Sequence, residues 1–187
     1  MITKREQDVI CMLEDFHIAT TNQIFMLFFK NTSLRYCQTR LSYLKKENVI
    51  KKTRSTIDNC NAYYITNKKP IQVHHDLLRA ELYAKISCKY TVLEWFNEYS
   101  IENIRPDAFA YIKDNGIVFP IFIEVHLSNK FNFEKYSELL KICDLKSMFG
   151  IIPRVIICTD RQITIPNIKI RFRQVDIDMS GIDSIFK

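Results

Sequence analysis

Glycine is nearly missing from this chain of 187 residues, which holds only three. Neither G-x-x-x-x-G-K-[ST] nor G-x-G-x-x-G occurs. Without glycines to let the backbone close on a phosphate, a nucleotide-cradling loop is nearly excluded. No apolar run reaches about 18 residues, so no transmembrane helix and no membrane partner are expected. The opening stretch "MITKREQDVI" lacks the apolar core of a secretory leader, which points to a cytoplasmic protein. The six cysteines (Cys11, Cys37, Cys60, Cys88, Cys143, Cys158) include no C-x-x-C pair. They read as reduced core residues, and a zinc site is not expected.

Positive charge, by contrast, is abundant and unevenly placed. Residues 1–69 hold 12 Lys/Arg against 6 Asp/Glu, whereas residues 70–187 hold 15 of each. The whole formal charge of +6 therefore lies in the first third. That asymmetry points to an anionic partner, double-stranded DNA above all, for the N-terminal part.

The first third predicts three helices and a hairpin. Over residues 4–16, Val9, Met12, Leu13 and Phe16 share one helical face. Thr20-x-x-Gln23 is a capping-box pattern that starts a second helix, through about Phe29. Ser33 can start a third, with Leu34, Cys37, Leu41 and Leu44 on its apolar face. Ile50–Thr56 and Ala62–Thr66 are β-prone, and Asp58–Asn61 between them is rich in turn formers. Three helices followed by a two-stranded wing is the winged-helix order, in which the third helix enters the major groove. Arg35, Gln38, Thr39 and Arg40 would then lie nearest the base edges, and Lys51, Lys52 and Arg54 on the wing suit phosphates. Phe25, Phe28, Phe29 and Trp95 read as core or interface anchors.

After a linker at Asn67–Pro70, residues 73–98 predict one long helix with Leu78, Leu82 and Ile86 along one side. Pro106-Asp107 and, 17 residues beyond Asp107, Glu124-Val125-His126 flank a predicted hairpin. Its strands are residues 105–112 and 117–127, joined by Lys113-Asp114-Asn115-Gly116, because Asn-Gly tolerates positive φ. Asp107 and Glu124 would converge at one end of the sheet, the way oxygen ligands hold Mg²⁺ in metal-dependent nucleases. His126 could act as a base. Lys130 or Lys135 could reach in from the following turn or helix, and Glu81 could add a carboxylate. Residues 133–148 predict a helix, and "PRVIICT" and "IKIRFRQVDI" predict strands. His74 and His75 are adjacent, so they do not share a helix face and predict no joint metal site.

Pro-Asp, a spacer of this length and Glu-x-His resemble the PD-(D/E)xK nuclease-like signature, with His126 standing in the lysine position. The wording "RPDAFAYI…FIEVHLSN…KYSELL" after a winged helix resembles the replication-relaxation family over roughly residues 5–160. Proteins of that family belong to plasmids, integrative elements and phages and are linked to replication or DNA mobilisation. The resemblance implies an α+β or α/β chain: a winged helix over residues 1–69 and a PD-(D/E)xK-like α/β domain over residues 70–187. It implies a DNA-binding protein of replication initiation or conjugative relaxation, with replication or relaxosome proteins as partners. Loss of the lysine is what a non-cleaving member of such a fold would show, so no cofactor is expected unless the domain cuts DNA with Mg²⁺. Two rivals stand beside this reading. One is a Mg²⁺-dependent endonuclease or nickase; the other is a winged-helix transcription regulator whose second domain dimerises. The neutral second domain would also allow a homodimer.

Overall fold

The computed structural model describes residues 2–127 and 130–186, a mixed α+β structure with two sheets. Two compact units, Met1–Ala84 and Lys85–Lys187, make up the chain. No helix among the described residues is long and apolar enough to cross a membrane.

The first unit opens with α1 (Lys4–Phe16), started by a Thr3–Glu6 capping box and burying Val9, Met12, Leu13 and Phe16. Ala19–Thr20 form a two-residue strand, β1, that pattern reading had missed. Thr20 then caps α2 (Thr21–Ile24), and the chain widens into a π-helical turn over Phe25–Phe29. Phe29 is buried there, while Phe25 and Phe28 are half-buried. Ser33 caps α3 (Leu34–Lys46), whose Oγ accepts from the Tyr36 amide at 3.1 Å. Cys37, Leu41 and Leu44, spaced at helical intervals, are fully buried. β2 (Ile50–Arg54) and β3 (Asn61–Ile65) pair antiparallel, and β1 adds to the far side of β3.

The unit boundary falls inside α4 (Val73–Lys89) rather than at Asn67–Pro70. The reason is packing: Leu77 clusters with Ile18 and Ala62. Gln23 also donates to the Leu77 carbonyl at 3.0 Å and to Glu81 at 2.8 Å. The start of α4 therefore belongs physically to the helices and hairpin before it.

The second unit is built on a five-stranded sheet in the order β4-β5-β6-β7-β8. Its first strand, β4 (Thr91–Asn97), corrects the expectation of one helix through residue 98. Thr91, Val92, Trp95 and Phe96 are β-branched or aromatic, and those side chains suit a pleated surface better than a helix. β5 (Ala108–Asp114) and β6 (Ile117–Val125) form the expected hairpin, and Asn115 (φ 47°) and Gly116 (φ 86°) make its turn. The expected helix over 133–148 is two: α5 (Glu134–Ile142) and α6 (Leu145–Phe149). Asp144 caps α6 and so interrupts the run, because a side chain that bonds the backbone ahead of it competes with helix continuation. β7 (Arg154–Cys158) pairs parallel with β6, and β8 (Phe172–Val175) parallel with β7. A parallel pair needs a crossover, and α5 with α6 supplies it. Phe109, Phe122, Tyr136, Leu139, Val155 and Phe172 lie at the heart of the core.

The cysteines divide. Cys37 and Cys158 are buried, and burial pushes each thiol up to about 12. Cys11 and Cys88 are exposed, against the expectation of core positions, because each falls on the outer side of its helix.

Candidate functional site

Side chains in a strand alternate between faces, and this places the two acids. Phe109 pairs with Phe122, both in the aromatic core. Asp107 and Glu124 are two residues from these and so share their face, one step beyond the last ladder pair, Ala108 with Ile123. The Asp107 Oδ2 accepts from the Val125 amide at 2.7 Å, which ties the start of β5 to the end of β6. The two carboxylates do meet at one end of the sheet.

Glu124 is 8% exposed, a charged residue in the apolar run of β6. The first turn of α5 lies on that face and supplies its partners. Lys135 donates to Glu124 Oε1 at 2.5 Å, and the Tyr136 hydroxyl donates to the same oxygen at 2.6 Å. Burial raises the Glu124 carboxyl above its ordinary value, and the Asp107 charge adds to this; Lys135 and Tyr136 act against it. Burial and Glu124 together push the Tyr136 phenol well above its usual value, so it stays a donor.

His126 sits one residue past the end of β6, its amide donating to the Cys158 carbonyl at 2.8 Å. Its ring stands edge-on to Phe131, with centroids 5.3 Å apart. Its Nε2 is buried and has no hydrogen-bond partner among the described residues. Burial first, then Lys135 and Arg161, lower its pKa, and Asp107 opposes them. The lowered pKa favours the neutral imidazole over the imidazolium.

These residues do not fit a Mg²⁺ site. Mg²⁺ demands a near-octahedral set of oxygens, and one oxygen of Glu124 already serves an ammonium and a phenol. Among the described residues no group of three or more His, Cys, Asp or Glu is placed to hold a metal ion. Glu81 takes the Gln23 amide, and Lys130 is exposed. His74 faces the Thr56 hydroxyl at 3.1 Å. Lys135 is the cation that the sequence offered only as one option of two. Tyr136 was missed, although its place beside Lys135 at the start of an amphipathic helix was a usable signal.

The second surface lies on α3 and β2. Arg35, Gln38 and Thr39 are exposed on α3, as are Lys51, Lys52 and Arg54 on β2. The Thr39 hydroxyl donates back to the Arg35 carbonyl at 2.9 Å. Arg40 differs from its neighbours. Its Nε and Nη2 both reach Glu6 Oε1, at 2.8 and 2.7 Å, and its guanidinium lies over Tyr43 at 4.9 Å. Glu6 is 1% exposed, and its other oxygen takes the Thr3 amide and hydroxyl at 2.8 Å each. Burial alone would raise the Glu6 carboxyl, but the bonds from Arg40 and Thr3 outweigh it and the pKa is lowered. Arg40 therefore joins α3 to α1 instead of standing with Arg35 and Gln38. Glu6, buried on α1, is the reason.

No protein-family profile matches this chain, and no curated protein or solved structure matches it.

Proposed function

We propose that this chain is a DNA-binding protein of a mobile genetic element, acting in replication initiation or conjugative mobilisation. In this reading the first unit is a winged helix and the second a PD-(D/E)xK-like α/β domain that does not cleave. The carrying observation is the set of exposed side chains on α3 and β2. Arg35, Gln38 and Thr39 stand on one element, and Lys51, Lys52 and Arg54 on the other. They lie in the part of the chain that holds the entire net charge of +6. Arginine and glutamine on a helix match guanine and adenine edges, and lysines on a hairpin match phosphates. The Lys135–Glu124 contact supports binding over cleavage in the second unit. The family resemblance, on the Pro106-Asp107 and Glu124-Val125-His126 segments, supplies the biological setting.

Fluorescence anisotropy of the full chain on random-sequence duplex DNA, over a range of salt, tests this. Affinity falls steeply with salt if phosphate contacts dominate. Lys51→Ala with Lys52→Ala weakens every duplex alike. Salt-independent binding, or affinity unmoved by the Lys51/Lys52 pair, overturns the reading.

A further inference from the structure

The crossover between β6 and β7 carries an open groove of about 550 Å³ that neither the acids nor the DNA reading uses. This volume lies in the range of pockets that seat a ligand, about 300–1,000 Å³. Its floor is aliphatic: Leu140, Ile142, Leu145 and Ile152 line it, with the Cys143 thiol among them. Leu145 is fully buried in the core, so the floor is firm, while Ile142 is 56% exposed. Met148 and Ile151, just beyond on the same stretch, are exposed as well.

The rim is cationic. Lys141, Lys146 and Lys169 line the groove from two separate stretches of chain. Lys146 is near enough to Asp144 to help hold that carboxyl below its ordinary value, after the Ser147 bonds. Two acids stand against the lysines: Asp144, whose Oδ1 accepts from the Ser147 amide at 3.2 Å and Oδ2 from the Ser147 hydroxyl at 2.8 Å, and Glu102, which faces the Cys143 thiol. These three lysines gather in one place in a part of the chain whose charges balance overall, 15 against 15.

We infer that this groove docks a segment of a partner protein that carries aliphatic side chains flanked by Asp or Glu. Charge complementarity selects the acidic flanks, and the aliphatic floor selects the anchors. Single-stranded nucleic acid is the poorer match, because such sites stack bases on aromatic rings and this lining has none. A lipid surface is also a poorer match, since the anchors line a concavity instead of projecting as one apolar face. The inference stands apart from the DNA reading, whose residues all lie in the first unit.

The test selects short peptides from a random displayed library on the full chain. The enriched sequences are then measured as synthetic peptides by anisotropy. Expected are sequences rich in Asp or Glu with Ile, Leu or Met. Their binding weakens about tenfold or more in a Lys146→Glu, Lys169→Glu variant, and falls as salt screens the rim. An Ile142→Ser variant, at an exposed position that folding tolerates, weakens the same peptides without altering the rim charge. Enrichment of neutral or basic sequences overturns the proposal, as does binding indifferent to both variants. So does a selection that returns nothing acidic while Lys146→Glu, Lys169→Glu abolishes binding of oligo(dT) or of phosphatidylglycerol vesicles. Self-association of the wild type that this same variant removes would assign the groove to a second copy and overturn it too.

Discussion

Lys135, on the first turn of α5, donates to Glu124 of β6 at 2.5 Å, across 11 residues of sequence. It brings to the carboxylate the ammonium that a Glu-x-Lys pattern would have carried at position 126. The contact also balances a charge that β6 buries, and Tyr136 completes it. A buried carboxylate that loses its cation keeps its desolvation cost, whereas one replaced by a neutral amide does not. Lys135→Ala is therefore expected to destabilise the chain by about 1–3 kcal/mol. Glu124→Gln, which keeps an acceptor for Tyr136, is expected to be close to neutral or stabilising. Urea unfolding of the two variants checks this, and a larger loss for Glu124→Gln than for Lys135→Ala would show that the pair holds the unit together as an ion pair.

Arg40 and Glu6 make a second such pair, between α3 and α1. Arg40→Ala strands a buried carboxylate, so it is expected to cost about 1–3 kcal/mol of stability. Arg35→Ala and Gln38→Ala remove exposed side chains and are expected to leave stability within about 0.5 kcal/mol. Under the proposed DNA reading the expected order reverses. Arg35→Ala or Gln38→Ala is expected to relax discrimination between sequences by about 1–3 kcal/mol where the contact is bidentate. Arg40→Ala, once its folded fraction is accounted for, leaves discrimination unchanged. Thermal unfolding together with competition binding on paired duplexes separates the two effects.

How far these sites were legible depended on the range of the interaction. The β5–β6 hairpin was legible because Asn115-Gly116 and the alternation around it are local. The core face of α3 was legible for the same reason, with Cys37, Leu41 and Leu44 in helical register. The two acids followed from the hairpin, since strand parity alone brings Asp107 and Glu124 to one face. Arg40 was not legible as a tie, because Glu6 is 34 residues away. β4 was hidden behind the apolar spacing of α4, which continues into Thr91–Asn97 although the residue types change to β-branched and aromatic. The break between α5 and α6 turned on Asp144, whose pairing with Ser147 resembles any exposed polar spacing until the turn is built.

His126 gives the second unit a pH dependence of definite sign. Burial, then Lys135 and Arg161, lower its pKa below the ordinary value of 6.5. As pH falls, the unfolded chain takes this proton before the folded one does. Stability from the neutral ring is thus present above 6.5 and is lost as pH drops from there to the folded value. Glu124 runs oppositely: its raised pKa makes the folded state take a proton first, which adds stability as pH falls through that value toward 4.5. Urea unfolding over about pH 5 to 8 is expected to show wild type weakening on the acid side, and His126→Gln weakening less. Equal slopes for the two would remove His126 from this account.

The proposed DNA reading carries an expectation of self-association, because two-fold DNA sites are read by two-fold dimers. Edge strand β4 carries Leu93 and Phe96 at 50% and 43% exposure, a template that a second copy can pair with. Sedimentation at micromolar concentration should give twice the chain mass of 22.2 kDa, and Phe96→Lys should shift it toward the single chain. A single-chain mass for the wild type counts against this pairing.

The final prediction concerns chemistry, and it is an absence. Metal-dependent cleavage needs acids free to bind the ion and a cation or base at the attacked phosphate. In the second unit Glu124 Oε1 is shared between Lys135 and Tyr136, so binding an ion there would require breaking both contacts. Lys135, the ammonium at this carboxylate, is engaged by Glu124, and His126, whose pKa is lowered, stabilises a developing phosphorane less than a free ammonium does. Residues 70–187 also lack the positive excess that would draw DNA across this end of the sheet. Supercoiled, linear and forked DNA are therefore expected to survive incubation with the full chain and Mg²⁺ or Mn²⁺. The decisive comparison is wild type with Glu124→Ala in the same preparation. Nicking by wild type that disappears in the variant would make this carboxylate catalytic and promote the endonuclease reading over the binding one. Equal, trace nicking by both would belong to a contaminant and leave the unit without turnover. Lys135→Ala adds a further control: in an inert site it changes stability alone, whereas in an active one it also changes the cutting rate of the protein that remains folded.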